Sequence, residues 1–315
     1  RTDVLIIVQN LPVPFDRRVW LECQALVADG FAVSVICPKG PDDPKYQEID
    51  GVRIWKFRGY APGGGAFAYL FEYVHSFLVT AWLTLKVRRH SKFQILQACN
   101  PPDIFWPIAM FWKFVAGTRF VFDHHDLCPE LYESRFPNSV RAPYWGLRML
   151  ERMTHRCADH VIATNESYRQ LAITRSGKQP GDVTVVRSGP DLKRLHRVDP
   201  DPALKRGRRH LVAYIGVMGP QDGVDNVVHA ADYIVNRLER TDVSFTLIGG
   251  GDCFDELVAL RDELGLEDYV EFTGRIPDAE VASILSTADI GLSPDPKNPL
   301  NDLSTMNKTV EYMAF

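Results

Sequence analysis

The sequence predicts an α/β chain of two successive, doubly wound parallel-sheet domains. Three observations support this: short β-branched runs alternate with helical patterns, a polar Pro-rich stretch interrupts them, and the same alternation then restarts. In the first half, Val4–Val8 reads as a strand, residues 16–29 as a helix closed by Gly30, and Val33–Cys37 as the next strand, which is a βαβ unit. Val52–Lys56, Ile95–Ala98, Phe120–Asp123, His160–Ala163 and Val183–Val186 follow as strands separated by helical stretches, so a parallel sheet covered on both faces is expected. Residues 187–210 are polar, basic and Pro-rich without apolar periodicity. They divide the chain into a domain over 1–188, a linker over 189–210 and a second domain over 211–315. In the second domain Leu211–Ile215, Ser244–Ile248, Tyr269–Phe272 and Ile290–Ser293 are the strands, each followed by a glycine or proline turn. A ligand cleft between two such domains is the natural site.

Composition bounds the class. A chain of 315 residues, 45% hydrophobic and 24% charged, has material for two packed cores. The net charge of −4 hides an asymmetry: residues 1–188 carry an excess of five cations and the remainder an excess of nine anions. The basic half is expected to face something anionic, although nucleic acid is not among the expected partners. Six cysteines without a CxxC pair argue against a disulfide framework or zinc knuckle and for a reducing, cytoplasmic compartment. No signal peptide is visible; there is no initiator Met, and the last residues form a helical pattern with no closing Gly, Asn or Pro. The sequence therefore reads as a fragment with its second domain incomplete.

Residues 66–87 are long and apolar, but Glu72 and His75 near the middle argue against a transmembrane span. Lys86, Arg88, Arg89 and Lys92 follow. An aromatic helix with a basic tail suits the surface of an anionic bilayer, so peripheral contact through about 66–92 is expected; a helix packed on the sheet is the alternative.

Several stretches can carry chemistry. A helix beginning at Ser304, a good N-cap residue, places Ser304, Asn307, Lys308 and Glu311 on one face, with Met306, Val310, Met313 and Ala314 mainly on the other. Free N–H groups at its start and the Lys308 ammonium suit a diphosphate, and Glu311 suits a ribose diol. An ordinary amphipathic helix with a solvated face has the same spacing. The loops Gly216–Gly223 and Gly249–Asp252 follow strands, and Gly216, Gly219 and Gly250 there either let phosphates approach the backbone or serve tight packing. Neither loop matches G-x-G-x-x-G or a P-loop, which removes the main support for dehydrogenase or kinase chemistry. Residues 122–132 (FDHHDLCPELY) pack two histidines among carboxylates after a strand, suited to orienting a hydroxyl nucleophile. Metal ligation is the competing idea, but adjacent histidines point different ways and no second cluster completes a ligand set. Arg17 and Arg18 stand at a helix start, where they meet phosphate or cap a surface.

These residues together resemble a GT-B glycosyltransferase of the large retaining family 4, similar to bacterial O-antigen and capsule transferases of the fucosamine-transferase type. The carriers are Phe15-Asp-Arg-Arg-Val-Trp20 with Gly30–Val35, His125-Asp126, Ser188-Gly-Pro-Asp191, Tyr214-Ile-Gly216 with Gly223, Phe272-Thr-Gly-Arg275 and Lys308-x-x-Glu-Tyr-Met-Ala314. The resemblance implies two Rossmann-like domains, the first binding a saccharide or lipid-linked acceptor and the second a nucleotide-diphosphate sugar. It further implies transfer with retention, no cofactor and no metal, at the cytoplasmic face of the plasma membrane. It makes Glu311 the ribose ligand, Arg275 and Ile276 neighbours of the base, and His125 an acceptor-side residue oriented by Asp126, with Arg17 and Arg18 on the same side.

Three departures from the family pattern stand out: Val217 and Asp222 replace an Arg and a Lys, and Leu303 stands where the first of two glutamates would be. Lys308 is then the expected substitute for the lost positive charge, with Ser304, Thr305 and the backbone of Met306 and Asn307, or Asp302, contacting the sugar. A catalytically weak relative that binds nucleotide or glycan in an assembly is the alternative those departures favour.

Overall fold

A computed structural model describes the chain except residues 41, 60–65, 137–139, 191, 193 and 194, and the side chains of 66–70. It divides into two units, Arg1–Arg187 and Ser188–Phe315. Asp191 of the Ser188–Asp191 motif lies outside the described residues.

The first unit runs β1 (Asp3–Ile7), α1 (Arg17–Ala28), β2 (Ala32–Pro38), β3 (Tyr46–Ile49), β4 (Val52–Phe57), α2 (Ala66–Arg88), β5 (Ile95–Cys99), α3 (Trp106–Ala116), β6 (Arg119–His124), α4 (Cys128–Arg135), α5 (Ala142–Cys157), β7 (His160–Ala163), α6 (Glu166–Ser176) and β8 (Val183–Val185). The strands lie in the order β3–β4–β2–β1–β5–β6–β7–β8. All neighbours pair in parallel except β3, an unforeseen antiparallel edge strand against β4. The burial pattern of β3 alternates between exposed and partly buried, as suits an edge. Central strands are apolar on both faces: Leu5, Ile6 and Ile7 are all fully buried, because helices cover both sides. The Asp16 carboxylate accepts from Val19 N at 3.1 Å and starts α1. From β1 the chain steps to β2 on one side, whereas from β4 it crosses back to β5 on the other. The carboxyl ends of β1 and β5 therefore flank the switch point at which open α/β sheets bind ligands.

The second unit contains β9 (His210–Ile215), α7 (Val224–Asp232), β10 (Val243–Ile248), α8 (Phe254–Glu263), β11 (Val270–Gly274), α9 (Asp278–Thr287), β12 (Ile290–Gly291) and α10 (Asn307–Tyr312). Its four strands are parallel in the order β11–β10–β9–β12. One face packs Val212, Tyr214, Val227 and Leu247, the other Leu211, Ala213, Val281 and Leu285.

Two expectations are corrected here. The stretch read as a linker packs onto the second unit: Leu195 is buried in its core, and Val198 N and Asp201 N donate to the hydroxyls of Ser286 and Thr287. Its polar composition reflects side chains facing water while the backbone is tied down. The last helix begins at Asn307 and not at Ser304; Met306 is its N-cap and gives no side-chain bond. Ser304 Oγ instead donates to Leu300 O at 2.8 Å, closing the preceding turn.

Candidate active site

In the first unit, the turn after β6 sits at the carboxyl edge of the sheet and is built around Asn100. The Asn100 Oδ1 accepts from His125 N at 2.6 Å and Asp126 N at 3.1 Å, and its Nδ2 donates to Asp126 O at 2.6 Å. One carboxamide thus fixes the backbone that presents His125.

The His125 side chain meets Asp123: Nε2 lies 2.6 Å from Asp123 Oδ2. Arg18 Nε also points at Nε2, at 3.0 Å, yet one ring nitrogen cannot donate to a carboxylate and accept from a guanidinium at once. The shorter, charge-assisted contact takes the proton, and Arg18 pairs with Asp123 Oδ1 at 2.9 Å and Glu22 Oε1 at 3.3 Å. Asp123 therefore orients the imidazole. Asp126, expected in that role, contributes its backbone to Asn100. The reason is geometric: β6 ends at His124, and Asn100 holds the backbone of both following residues, so that the imidazole of His125 turns back onto Asp123 while the main chain of Asp126 is engaged by the carboxamide.

The electrostatics follow from burial. Burial opposes charge on His125, but the carboxylate and hydrogen bond of Asp123 outweigh it and raise the imidazole above its ordinary value. Burial likewise opposes charge on Asp123, yet His125 and Arg18 hold it below the usual carboxylate range. Glu22 is pushed up by burial and by Asp123, and its Oε2 accepts from Gln97 at 2.8 Å. The cluster places two cations around one buried anion, with no described residue bonding His125 Nδ1.

Of the two arginines, Arg18 joins this network and also donates to Val186 O at 3.0 Å; Arg17 is exposed. Cys99, Asp123 and His125 each place a ligand-type atom within 4.8 Å of the others, but the Arg18 guanidinium already pairs with Asp123 and lies 3.0 Å from the His125 ring nitrogen, which disfavours a metal cation there.

In the second unit the glycine loops are packed against each other. Gly249 has φ +128°, and a Cβ there would lie 1.9 Å from Gly216 O; Gly216 N donates to Ile248 O. Asp222, where the family carries a Lys, accepts from Gly219 N at 2.9 Å. The N–H groups of Gly216 and Gly219, expected to meet phosphate, are thus used within the loops. Gly250 has open space at its Cα.

Lys308, expected on an open face, is turned inward: Nζ lies 2.7 Å from Asp295 Oδ1, with side-chain exposures of 9% and 8%, and 4.9 Å from the centroid of the Tyr214 ring. With the helix starting three residues later than expected, residue 308 falls in its first turn against β9. Tyr312 fixes α10: its hydroxyl accepts from Ile215 N at 3.1 Å and donates to Leu292 O at 2.8 Å. Glu311 precedes that anchor and is partly exposed. A cleft of about 570 Å³ is lined by Ser293, Asp295, Lys297, Asn301, Asp302 and Met306. Thr305 and Asn307 flank Met306, which lines the cleft, whereas Arg275 is exposed before α9 and Ile276 packs on the core.

Two Rossmann-like α/β units in succession are the make-up of GT-B glycosyltransferases. Residues 16–194 match the model described as Glycosyltransferase Family 4, and residues 209–315 that described as Glycosyl transferases group 1. The chain belongs to glycosyltransferase family 4. It is 26% identical over 155 residues to the MMP alpha-(1->4)-mannosyltransferase of Mycolicibacterium hassiacum, a match spanning 49% of this chain and only 36% of that relative. In fold it is similar to sucrose-phosphate synthase from Thermosynechococcus elongatus (TM-score 0.74, 18% identity, 95% of this chain and 77% of that one). It is also similar to Anabaena HepE in complex with UDP and glucose (TM-score 0.65, 16% identity, 100% and 78%).

Sequence reasoning missed Asn100, Asp123, Glu22 and Gln97 on one side, and Asp295 and Tyr312 on the other. Asp123 stands beside the histidine pair, but nothing in the local sequence distinguishes its carboxylate from that of Asp126. Asn100 and Asp295 are distant in sequence from what they hold and carried no signal.

Proposed function

We propose that this protein transfers a sugar, with retention, from a nucleotide-diphosphate sugar to a lipid-linked saccharide in cell-surface polysaccharide synthesis, within the O-antigen and capsule branch of family 4. The observation that carries the reading is the His125–Asp123–Arg18 network at the switch-point edge of the first sheet. It is a preorganised hydrogen-bonding and positively charged site in a chain of this family. The nucleotide-bound and mannose-transferring relatives support a nucleotide-sugar donor.

In this reading the first unit takes the acceptor. His125 meets the acceptor sugar or hydroxyl and positions it, Asp123, itself paired with Arg18, holds the imidazole, and the departing phosphate takes the acceptor proton. The second unit takes the donor, with Glu311 receiving the ribose hydroxyls and the cleft beside Met306 and Asp302 the sugar. In this reading the reaction needs neither cofactor nor metal, as the family resemblance implies. The enzyme works at the cytoplasmic face of the plasma membrane, with residues 66–92 in contact with it.

A second reading, a weak or inactive relative that binds nucleotide or glycan, draws on one observation: Lys308 is engaged by Asp295. A donor panel with the full chain and membrane lipid extract tests both. Label moving to the lipid phase, with nucleoside diphosphate released only when acceptor is present, is expected. Donor binding without release supports the second reading.

A further inference from the structure

Half of the exposed large hydrophobic side chains among the described residues lie on α2, α3 and α5. The three helices are neighbours: Trp112 Nε1 of α3 donates to Thr84 of α2 at 2.9 Å, and Thr154 of α5 donates to Asp103 O just before α3. On α3 the outward face is Met110, Phe111, Phe114 and Val115, with Phe114 93% exposed; Trp82, near the carboxyl end of α2, is 59% exposed. Isolated exposed residues need no explanation, but a contiguous aromatic patch does.

The charge around the patch is mainly positive; its one exposed carboxylate, Asp159, is paired with Lys113 of α3. From Lys86 to Arg119 the chain has six Lys and Arg and a single acid, Asp103, which is buried. From Arg141 to Arg156 it has four arginines and one acid, Glu151, which is buried and bonded to Arg175. The exposed surfaces of α3 and α5 therefore present no carboxylate. Because the helices run antiparallel to the strands they cover, their basic carboxyl ends gather with Phe114 at the amino edge of the sheet. That edge is opposite the one that carries His125.

We propose that the α3 ridge, with Trp82 beside it, is a wedge that enters the surface of an anionic lipid bilayer, with Lys86, Arg89, Arg119 and Arg156 meeting the headgroups. The inference deepens the membrane contact of the functional reading, which placed it on residues 66–92, and moves the apolar anchor to α3. Aromatic rings among basic side chains in excess over acids match such an interface: rings sit at the headgroup level while cations meet anionic lipid. A second copy of this chain would bring the same basic rim against itself.

The test is sedimentation of the full chain with phosphatidylcholine vesicles with and without phosphatidylglycerol, beside vesicle-free analytical ultracentrifugation. Binding is expected only with phosphatidylglycerol and to weaken with salt. Phe111→Ser with Phe114→Ser is expected to weaken it by roughly tenfold or more with an unchanged thermal melt, and R119E with R156E by a similar factor. In Phe114→Trp, quenching by brominated lipid is expected. Unchanged binding by the double serine variant, or equal binding to neutral vesicles, overturns the proposal. A dimer that those serines dissolve overturns it in favour of self-association. Vesicle binding is read without sugar transfer, so an inactive protein that still binds leaves the wedge standing and sinks only the catalytic reading.

Discussion

Lys308 and Asp295 form a buried ion pair, 2.7 Å from Nζ to Oδ1, roofed by the Tyr214 ring. Removing one partner of such a pair strands the other, at about 3–5 kcal/mol, whereas replacing both with apolar groups of similar size is often near neutral. Lys308→Ala is accordingly expected to destabilise the second unit more than Lys308→Met combined with Asp295→Leu, as measured by denaturant unfolding. Equal losses would show that the pair is not uncompensated when broken. If Lys308→Ala also left donor binding and turnover intact, this lysine would have no part in holding phosphate.

His125→Ala is expected to lower turnover more than donor affinity, because the residue is assigned to the acceptor. Asp123→Asn should lower turnover by roughly ten- to a hundredfold through loss of the orienting carboxylate, and Asp126→Asn by far less. The reverse order would return the orienting role to Asp126.

The same pair sets a pH signature. His125 is raised by Asp123, so its contribution to stability is fully present below the ordinary histidine value of 6.5 and is lost as pH rises through the higher folded value. Asp123→Asn removes that dependence. An NMR titration of the imidazole reads it directly: His125 should titrate above 6.5 in the wild type and fall in Asp123→Asn. No change would rule out the carboxylate as the cause.

Behind the site, His124 and His155 are buried with their ring centroids 4.8 Å apart. Burial and His155 hold His124 well below 6.5, and burial with Lys178 and Arg175 lowers His155 to about 3. For a base whose folded value is depressed, stability is present above the ordinary value and falls as pH drops below it. Each such histidine contributes a slope of up to about 1.4 kcal/mol per pH unit. Stability is therefore expected to decline from pH 6.5 towards 3, and His155→Leu to flatten that decline. An unchanged slope in urea midpoints against pH would assign the loss to carboxylates instead.

A Cβ on Gly291 would lie 2.6 Å from the Tyr312 ring, which two hydrogen bonds hold in place. Gly291→Ala is expected to cost about 1–3 kcal/mol by overpacking and to shift α10 with Glu311. Paired melting curves and nucleotide titrations would show stability and donor affinity falling together. Loss of stability alone would mean that α10 does not carry the donor.

The strands were legible because their cause is local: runs such as Leu5–Ile7 are apolar on both faces wherever helices cover a sheet. His125, Glu311 and the glycine loops were legible as motifs. The orientation of Lys308 was not, because it depends on Asp295, Tyr214 and a helix start displaced to Asn307, none of which local spacing encodes. The edge strand β3 was missed because its sequence, Tyr46-Gln-Glu-Ile49, is mostly polar, and pairing with β4 decides its conformation.

Asn100, whose carboxamide holds the backbone at residues 125 and 126, is followed by Pro101. Asparagines in proteins usually lose their amide when the next residue's backbone nitrogen attacks the side-chain carbonyl, and that attack requires an N–H which proline lacks. Conversion to aspartate would replace a donor to Asp126 O with an oxygen and break the clamp. The proline therefore protects the turn from chemical ageing, and in a stored sample this asparagine should outlast those followed by residues with a free N–H.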